Sequence, residues 1–180
     1  MRVLVVGAGG REQAIAWACR RHGHDVAITD PFDPANAGVD LVIPGPEAAL
    51  VAGVADRCAE LGVPCFGPSA ALAELEASKS WARALATDLG IPGPAWSRCD
   101  DSDAAIAWWR AHELDVVVKL DGLASGKGVT IPTTDAETER AIRAAAETGT
   151  FVLEERLTGP ACSLLALCDG RVAVPQPHAQ

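Results

Sequence analysis

The sequence predicts an α/β fold in two parts: a parallel sheet alternating with helices up to about Pro68, then an α+β part built on antiparallel hairpins. Three observations lead there. Up to Pro68, short apolar runs each end in a glycine- or proline-rich turn and alternate with helically spaced segments, as in a sheet buried on both faces. Beyond Ser78 the apolar runs come instead as strand–turn–strand pairs. Hydrophobic residues make up 49% and charged residues 22% of 180, the composition of a soluble globular chain with one domain or two small ones.

The elements follow in order. Arg2 to Val6 is a strand ending in Gly7-Ala8-Gly9-Gly10, and a helix follows over 11–21 with Ala14, Ile15, Ala18 and Cys19 on one face. Asp25 to Thr29 is a second strand, and Pro31, Pro34 and Gly38 mark a loop. Leu41-Val42-Ile43 is a third strand closed by Pro44-Gly45-Pro46; residues 51–61 form a helix, and Pro64-Cys65-Phe66 a short fourth strand. A helix over 78–89 puts Trp81, Leu85 and Leu89 on one face. The next carries Ala105, Trp108, Trp109 and His112 at positions i, i+3, i+4 and i+7, with the Trp pair read as core. Val116 to Leu120 and Val129 to Ile131 are strands on either side of a glycine loop. Thr134 with Glu137 is a capping box opening a helix to about Ala146. Phe151 to Leu157 and Ser163 to Leu167 are further strands, and Asp169-Gly170 turns the last of them back into Arg171 to Val174.

The charge balance narrows the function. With 15 Lys+Arg against 24 Asp+Glu the net charge is −9, which argues against nucleic acid or an anionic membrane as partner. No apolar run approaches the ~18 residues of a membrane span, and the N-terminus does not read as a signal peptide. Six cysteines without a CxxC pair read as reduced, mostly buried thiols of a cytoplasmic protein. No histidine falls in a metal-ligand pattern. The basic residues are twelve Arg and only three Lys, at 79, 119 and 127. In a chain so biased to arginine, lysine marks places where a compact ammonium on a flexible stem does what a guanidinium does not.

Two motifs carry chemistry. Gly7-Ala8-Gly9-Gly10-Arg11-Glu12 joins a strand to a helix, where backbone N–H groups meet an anion at the helix N-terminus. Glu12 stands where a dinucleotide fingerprint has glycine, so Asp30 as a ribose acid supports only a half-formed NAD site; Arg11 favours a phosphorylated small molecule. The second motif runs from Lys119 to Gly128. Gly122 and Gly126 stand four apart and Gly128 replaces the Ser/Thr of a phosphate-binding P-loop, so it is not one. A glycine hairpin between two strands instead covers a triphosphate as a flap, with Lys127 on the outer phosphates and Lys119 reaching an inner one. Glu154-Glu155-Arg156-Leu157 closes a strand whose backbone edge could read adenine; taken alone it reads as an edge strand with solvated charges.

In order, GAGGRE at 7–12, NAG at 36–38, PGPEAAL at 44–50, FGPS at 66–69, LEASK at 75–79, VVKLDGLASGKGV at 117–129 and LEERLTG at 153–159 resemble one family, the phosphoribosylamine–glycine ligases of the ATP-grasp superfamily. The resemblance implies a Rossmann-like pre-ATP-grasp domain over 1–68 and the N-terminal part of an ATP-grasp domain over 69–180. It implies ATP-dependent joining of glycine to 5-phosphoribosylamine through a glycyl phosphate, in purine biosynthesis. Carried over by position, Lys119 and Lys127 are the catalytic cations. ATP is met by Lys79, Lys119, Gly122, Ser125, Gly126, Lys127, Gly128, Glu154, Glu155 and Leu157, with Glu154 and Leu157 acting through their backbone. Gly9, Gly10, Arg11, Glu12, Asn36, Gly45, Pro46 and Glu47 fall on the phosphoribosylamine side.

Departures from the pattern keep alternatives open. The first domain is shorter after Gly38 by about a strand and a helix, no glycine-rich stretch lies between Ala146 and Phe151, and Ala161 stands where the family has an acid for the ribose hydroxyls. The expected Mg²⁺ ligands would lie beyond residue 180. A non-catalytic nucleotide-binding relative, or another ATP-grasp carboxylate–amine ligase, fits the same motifs.

Overall fold

A computed structural model describes residues 1–33, 38–124 and 127–178. The first part is a three-stranded parallel sheet in the order β2-β1-β3, from β1 (Arg2–Val6), β2 (Asp25–Thr29) and β3 (Leu41–Pro44). Successive residues of β1 point to opposite faces. Val3 and Val5 pack under α1 (Gly10–Arg21) with Ala16 and Val26. Leu4 and Val6 pack with Val42, Val54 and Cys58 under α2 (Glu47–Val51) and α3 (Val54–Glu60). The unbroken apolar run of β1 is thus the mark of a strand covered on both sides. The single helix expected over 51–61 is two, separated at Gly53, whose φ of 86° lies in the left-handed region that glycine enters freely. The expected fourth strand is one parallel bridge, Cys65 to Val42.

Past Pro68, α4 (Ala70–Ala77) packs on α2 and takes a bond from its first amide to Asp56 Oδ2 at 2.7 Å. Periodicity does not find this helix because Leu72 and Leu75, at 64% and 56% exposed, form no core stripe; its Ala/Leu/Glu content supplies the propensity. α5 (Lys79–Asp88) follows, and of its expected apolar face only Leu85 is half-buried: Trp81 and Leu89 are exposed, while Ser80 is buried and Arg83 half-buried. The second sheet is antiparallel in the order β4-β7-β5-β6, from β4 (Trp96–Cys99), β5 (Val116–Leu120), β6 (Val129–Thr130) and β7 (Phe151–Glu155). β4 was not expected from the sequence.

One face of this sheet holds the core. Val116, Val118, Phe151 and Leu153 pack against Ile106 and Trp109 of α6 (Ser102–His112) and Ile142 of α7 (Asp135–Thr148). Trp109 donates its Nε1–H to the Leu114 carbonyl at 3.0 Å and sits in this core as expected. The α7 capping box closes one residue early, Thr134 Oγ1 accepting from Glu137 N while Glu137 Oε2 accepts from Thr133 N. By alternation the opposite face carries Lys119 from β5 and Glu154 from β7, and there α5 lies. The ribbon β8 (Ala166–Cys168) with β9 (Ala173–Pro175) is exposed throughout. Of the cysteines expected to be mostly buried, only Cys58 and Cys99 are; Cys162 and Cys168 in or beside this ribbon are exposed. Among the described residues no helix is long and apolar enough to cross a membrane.

Candidate functional site

The order β2-β1-β3 reverses direction at β1, and the loops leaving β1 and β3 meet at that switch point, where open α/β sheets form their crevices. One side of it is filled from within; the other is open as a cavity of about 470 Å³ lined by Val6, Asp30, Pro31 and Pro46. Glu12, 4% exposed on α1, accepts a bond from Gly9 N at 2.7 Å, so the chain supplies its own carboxylate to that helix N-terminus. The Gly9 amide, expected to meet a ligand, bonds Glu12 in this structure. The glycines around it are required by packing. A Cβ on Gly45 would lie 2.0 Å from Glu12 Oε1, and one on Gly7 2.7 Å from Pro46 Cδ. Arg11, on the outer side, donates to the Gly45 carbonyl at 2.8 Å and reaches Glu47 Oε2 at 3.4 Å. Gly10, Arg11 and Glu47 remain as groups a ligand can reach; Asn36 lies outside the described residues.

Glu47 also borders a cavity of about 500 Å³ shared with the second part of the chain. Its walls carry Lys79 and Arg83 from α5, Lys119 and Glu154 from the sheet, and Gly122, Leu123 and Gly128 from the hairpin. Of the three lysines, two are here. Lys79 Nζ donates to the Gly122 carbonyl at 2.8 Å, and Lys119 Nζ to Glu154 Oε2 at 2.5 Å. Lys127 is exposed on the hairpin, its N–H bonded to the Ala124 carbonyl, and does not line the cavity. Gly128 is buried against Leu120 and Ala124, where a Cβ would meet Ala124 Cβ at 2.6 Å. Ser125 and Gly126 lie outside the described residues.

Two residues organise the cavity: Asp121, which the sequence shows only as the acid beside the hairpin, and Arg83, which it does not single out. Asp121 Oδ1 accepts from Lys79 N at 2.6 Å, and Oδ2 from Ser80 Oγ at 2.5 Å and Ser78 Oγ at 3.1 Å. It thus caps α5 from 42 residues away, anchoring Lys79 to the root of the hairpin. Burial pushes the Asp121 carboxyl up, but the Ser80, Lys79 and Ser78 donors outweigh it and hold it below the ordinary range. Arg83 grips Glu154 with two bonds of 2.9 Å, Nε to Oε1 and a terminal nitrogen to Oε2. Burial acts to raise Glu154 as well; the bonds from Arg83 and Lys119 prevail and keep it ionised well below the usual carboxylate range. Arg83 is raised, chiefly by that bond. One signal was available: Arg83 stands four residues after Lys79, on the same helix face.

The edge-strand reading of 154–157 is corrected. β7 is a central strand, with Glu154 paired to Trp96 on one side and Val117 on the other, and its side chain, 4% exposed, forms part of the cavity wall. Glu155 points elsewhere, its Oε2 accepting from Ala95 N at 3.1 Å. Arg156 N makes the last ladder bond, to the Asp115 carbonyl, so Leu157, 66% exposed, is the first residue of this run beyond the sheet.

Against known proteins, residues 77–180 match the phosphoribosylglycinamide synthetase ATP-grasp (A) domain, and residues 31–76 the N domain of the same synthetase. The chain is 40% identical to a phosphoribosylamine–glycine ligase of a Nostoc species, over 100% of this chain and 50% of that one. That alignment runs 213 positions to cover 180 residues, the surplus being gaps opened in this chain. In fold it is similar to the Thermotoga maritima phosphoribosylamine–glycine ligase, at a TM-score of 0.80 and 24% identity, over 99% of this chain and 49% of that one. It is also similar to a carboxyaminoimidazole ribonucleotide synthase from Aspergillus clavatus solved with ATP, at a TM-score of 0.76 and 14% identity, over 98% and 53% of the two chains. The chain spans about half the length of the curated relatives it matches. With the A domain matched over more than half its residues and the N domain directly before it, the chain belongs to the phosphoribosylglycinamide synthetase family.

Proposed function

We propose that the cavity beneath the glycine hairpin binds ATP, and that the chain serves in the ligation of glycine to 5-phosphoribosylamine. The observation that carries this is the convergence of Lys79, Arg83 and Lys119 on one cavity of about 500 Å³, roofed by Gly122 and Gly128, in a chain of net charge −9. Glu47, Glu76 and Glu154 line the same cavity, so its cations are matched by acids overall; what favours an anionic ligand is that Lys79 and Lys119 stand there beside the backbone of a glycine hairpin. The volume lies within the range of small-molecule sites. The related synthase from Aspergillus clavatus was solved with ATP, which supports the same ligand here.

The chemistry asks little covalent work of the protein. A glycine carboxylate oxygen attacks the γ-phosphorus, the bond to ADP breaks, and glycyl phosphate forms. The amine of phosphoribosylamine then attacks the acyl carbon, phosphate leaves, and the amine gives a proton to solvent. Both steps need the charge on the transferring phosphoryl oxygens neutralised and the reactants held in line. Lys119, in the cavity wall, would neutralise one phosphate, and Lys127, exposed on the hairpin, another. Gly122 and Gly128, which line the cavity, would meet the phosphates through their backbone. Leu157, just beyond the sheet, offers backbone to adenine, and Glu154 contributes its carboxylate and not its backbone.

On the first part of the chain, Gly10 N–H and Arg11 would take the 5-phosphate of phosphoribosylamine, with Glu47 between that group and the nucleotide. We take 1–68 as the phosphoribosylamine-facing unit and 69–180 as the nucleotide-binding unit, with α4 across the seam, in a cytoplasmic protein. Asp121, the acid beside the hairpin, does not fit a Mg²⁺ ion, because its oxygens are filled by Ser78, Lys79 and Ser80. Among the described residues no cluster of three or more acids, cysteines or histidines fits one either. The test is a paired titration. ATP and ribose 5-phosphate should bind together at separate sites and NAD should displace neither; displacement of ribose 5-phosphate by NAD would favour a dinucleotide site.

A further inference from the structure

Arg83 has no part in the motifs that led to the nucleotide reading, yet it makes a bidentate ion pair in the cavity wall. It grips Glu154 by two bonds of 2.9 Å, while the same carboxylate takes a bond from Lys119 at 2.5 Å. Glu154 is the least accessible of the three, at 5% of its side chain, against 32% for Arg83 and 24% for Lys119. One anion is therefore buried between two cations that both face the ligand space, and the set carries one net positive charge.

We propose that Arg83 is a positioning residue that keeps Lys119 available to an anionic ligand by sharing Glu154 with it. This rests on the nucleotide reading and deepens it. If Lys119 alone faced Glu154, the two charges would cancel at close range and the lysine would offer little to a phosphate. Arg83, with a planar fork that matches both carboxylate oxygens, takes up much of that negative charge. Lys119 can then swing from Glu154 to an arriving phosphate without leaving a buried carboxylate unpaired, the arrangement that would otherwise be costly. Glu154 acts as a hinge for the lysine's charge, and Arg83 holds the hinge.

The charge count makes the idea separable from a structural role. Arg83→Met leaves a neutral pair, Glu154→Gln leaves two cations, and the double variant leaves Lys119 alone with one net positive charge, as in the parent. Affinities for ATP and adenosine are measured by calorimetry on the full 180-residue chain, with melting temperatures alongside. Arg83→Met should weaken ATP about tenfold or more and leave adenosine within about twofold, since Glu154 then neutralises Lys119 and only the phosphates depend on that lysine. Arg83→Lys, which keeps the charge but not the fork, should fall between the parent and Arg83→Met and serves if the methionine variant does not fold. The double variant should recover ATP affinity to within about threefold of the parent. A double variant as weak as Arg83→Met, or parallel losses of ATP and adenosine, would overturn the proposal while leaving the nucleotide site standing. A parent chain that binds ATP no better than adenosine would remove the reading on which it rests.

Discussion

The main-chain N–H of Lys79 donates to Asp121 Oδ1 at 2.6 Å, so the helix that presents Lys79 to the cavity begins on the carboxylate that starts the glycine hairpin. Flap root and lysine are set by one residue. Gly122 N bonds the same oxygen, and the Gly122 carbonyl accepts from Lys79 Nζ, which closes the connection on itself.

Asp121→Asn should therefore loosen both elements. It removes a charged cap and weakens several hydrogen bonds to a half-buried group, a loss of about 1–3 kcal/mol in denaturant unfolding. The pH dependence has a definite sign. Because Asp121 and Glu154 both sit below their ordinary values when folded, their contribution is complete above the unfolded carboxylate range near pH 4. It is lost as pH falls through the lowered folded values. Acid unfolding curves should show this loss in the parent and a shallower one in Asp121→Asn; identical slopes would contradict the cap.

Gly45→Ala should destabilise the first part of the chain. The added Cβ would stand 2.0 Å from Glu12 Oε1, a carboxylate packed on all sides. Overpacking of this kind costs about 1–3 kcal/mol. Shortening Glu12 to Ala opens the space, so the double variant should lose less than the two single losses added together. Simple additivity in thermal unfolding would show that Gly45 is not held by Glu12.

Ribose 5-phosphate should perturb the amide resonances of Gly10 and Arg11 more than that of Gly9, whose N–H is engaged by Glu12. Arg11→Ala should weaken the interaction about tenfold, the order expected for one charge-assisted contact. A response centred on Gly9 would mean that the Glu12 bond opens for the ligand.

Lys127→Ala should weaken ATP several-fold and leave the melting temperature within a degree or two. The side chain is exposed, and the backbone N–H of Lys127 bonds the Ala124 carbonyl. Surface substitutions of this kind carry little folding energy. Unchanged ATP affinity would remove Lys127 from the phosphate contacts.

Much of this was legible in the sequence because it is written in local pattern. The apolar run of β1, the Thr134–Glu137 cap and the hairpin between Lys119 and Val129 follow from period, capping and turn chemistry. The three rare lysines pointed to the hairpin and to α5. What escaped depends on partners far along the chain. Arg83 meets Glu154 across 71 residues, and Asp121 meets Lys79 across 42. No local pattern encodes either. Trp81 and Leu89 misled because helical spacing reports a possible apolar face, whereas α5 turns Ser80 and Arg83 inward to bond carboxylates. Glu154-Glu155 looked solvated because two adjacent acids do, until β4 and β5 enclose the strand between them.

The central claim is that the cavity between α5, β5 and the glycine hairpin holds a triphosphate with Lys119 in its wall. The most direct measurement is a calorimetric titration of the 180-residue chain with ATP, run beside Lys119→Met. In that variant Arg83 still pairs Glu154, so the fold should persist and its melting temperature should confirm it. The expected result is saturable one-to-one binding by the parent and affinity lower by about tenfold or more in the variant. Equal ATP affinity in two folded proteins would contradict the assignment of this cavity to the triphosphate.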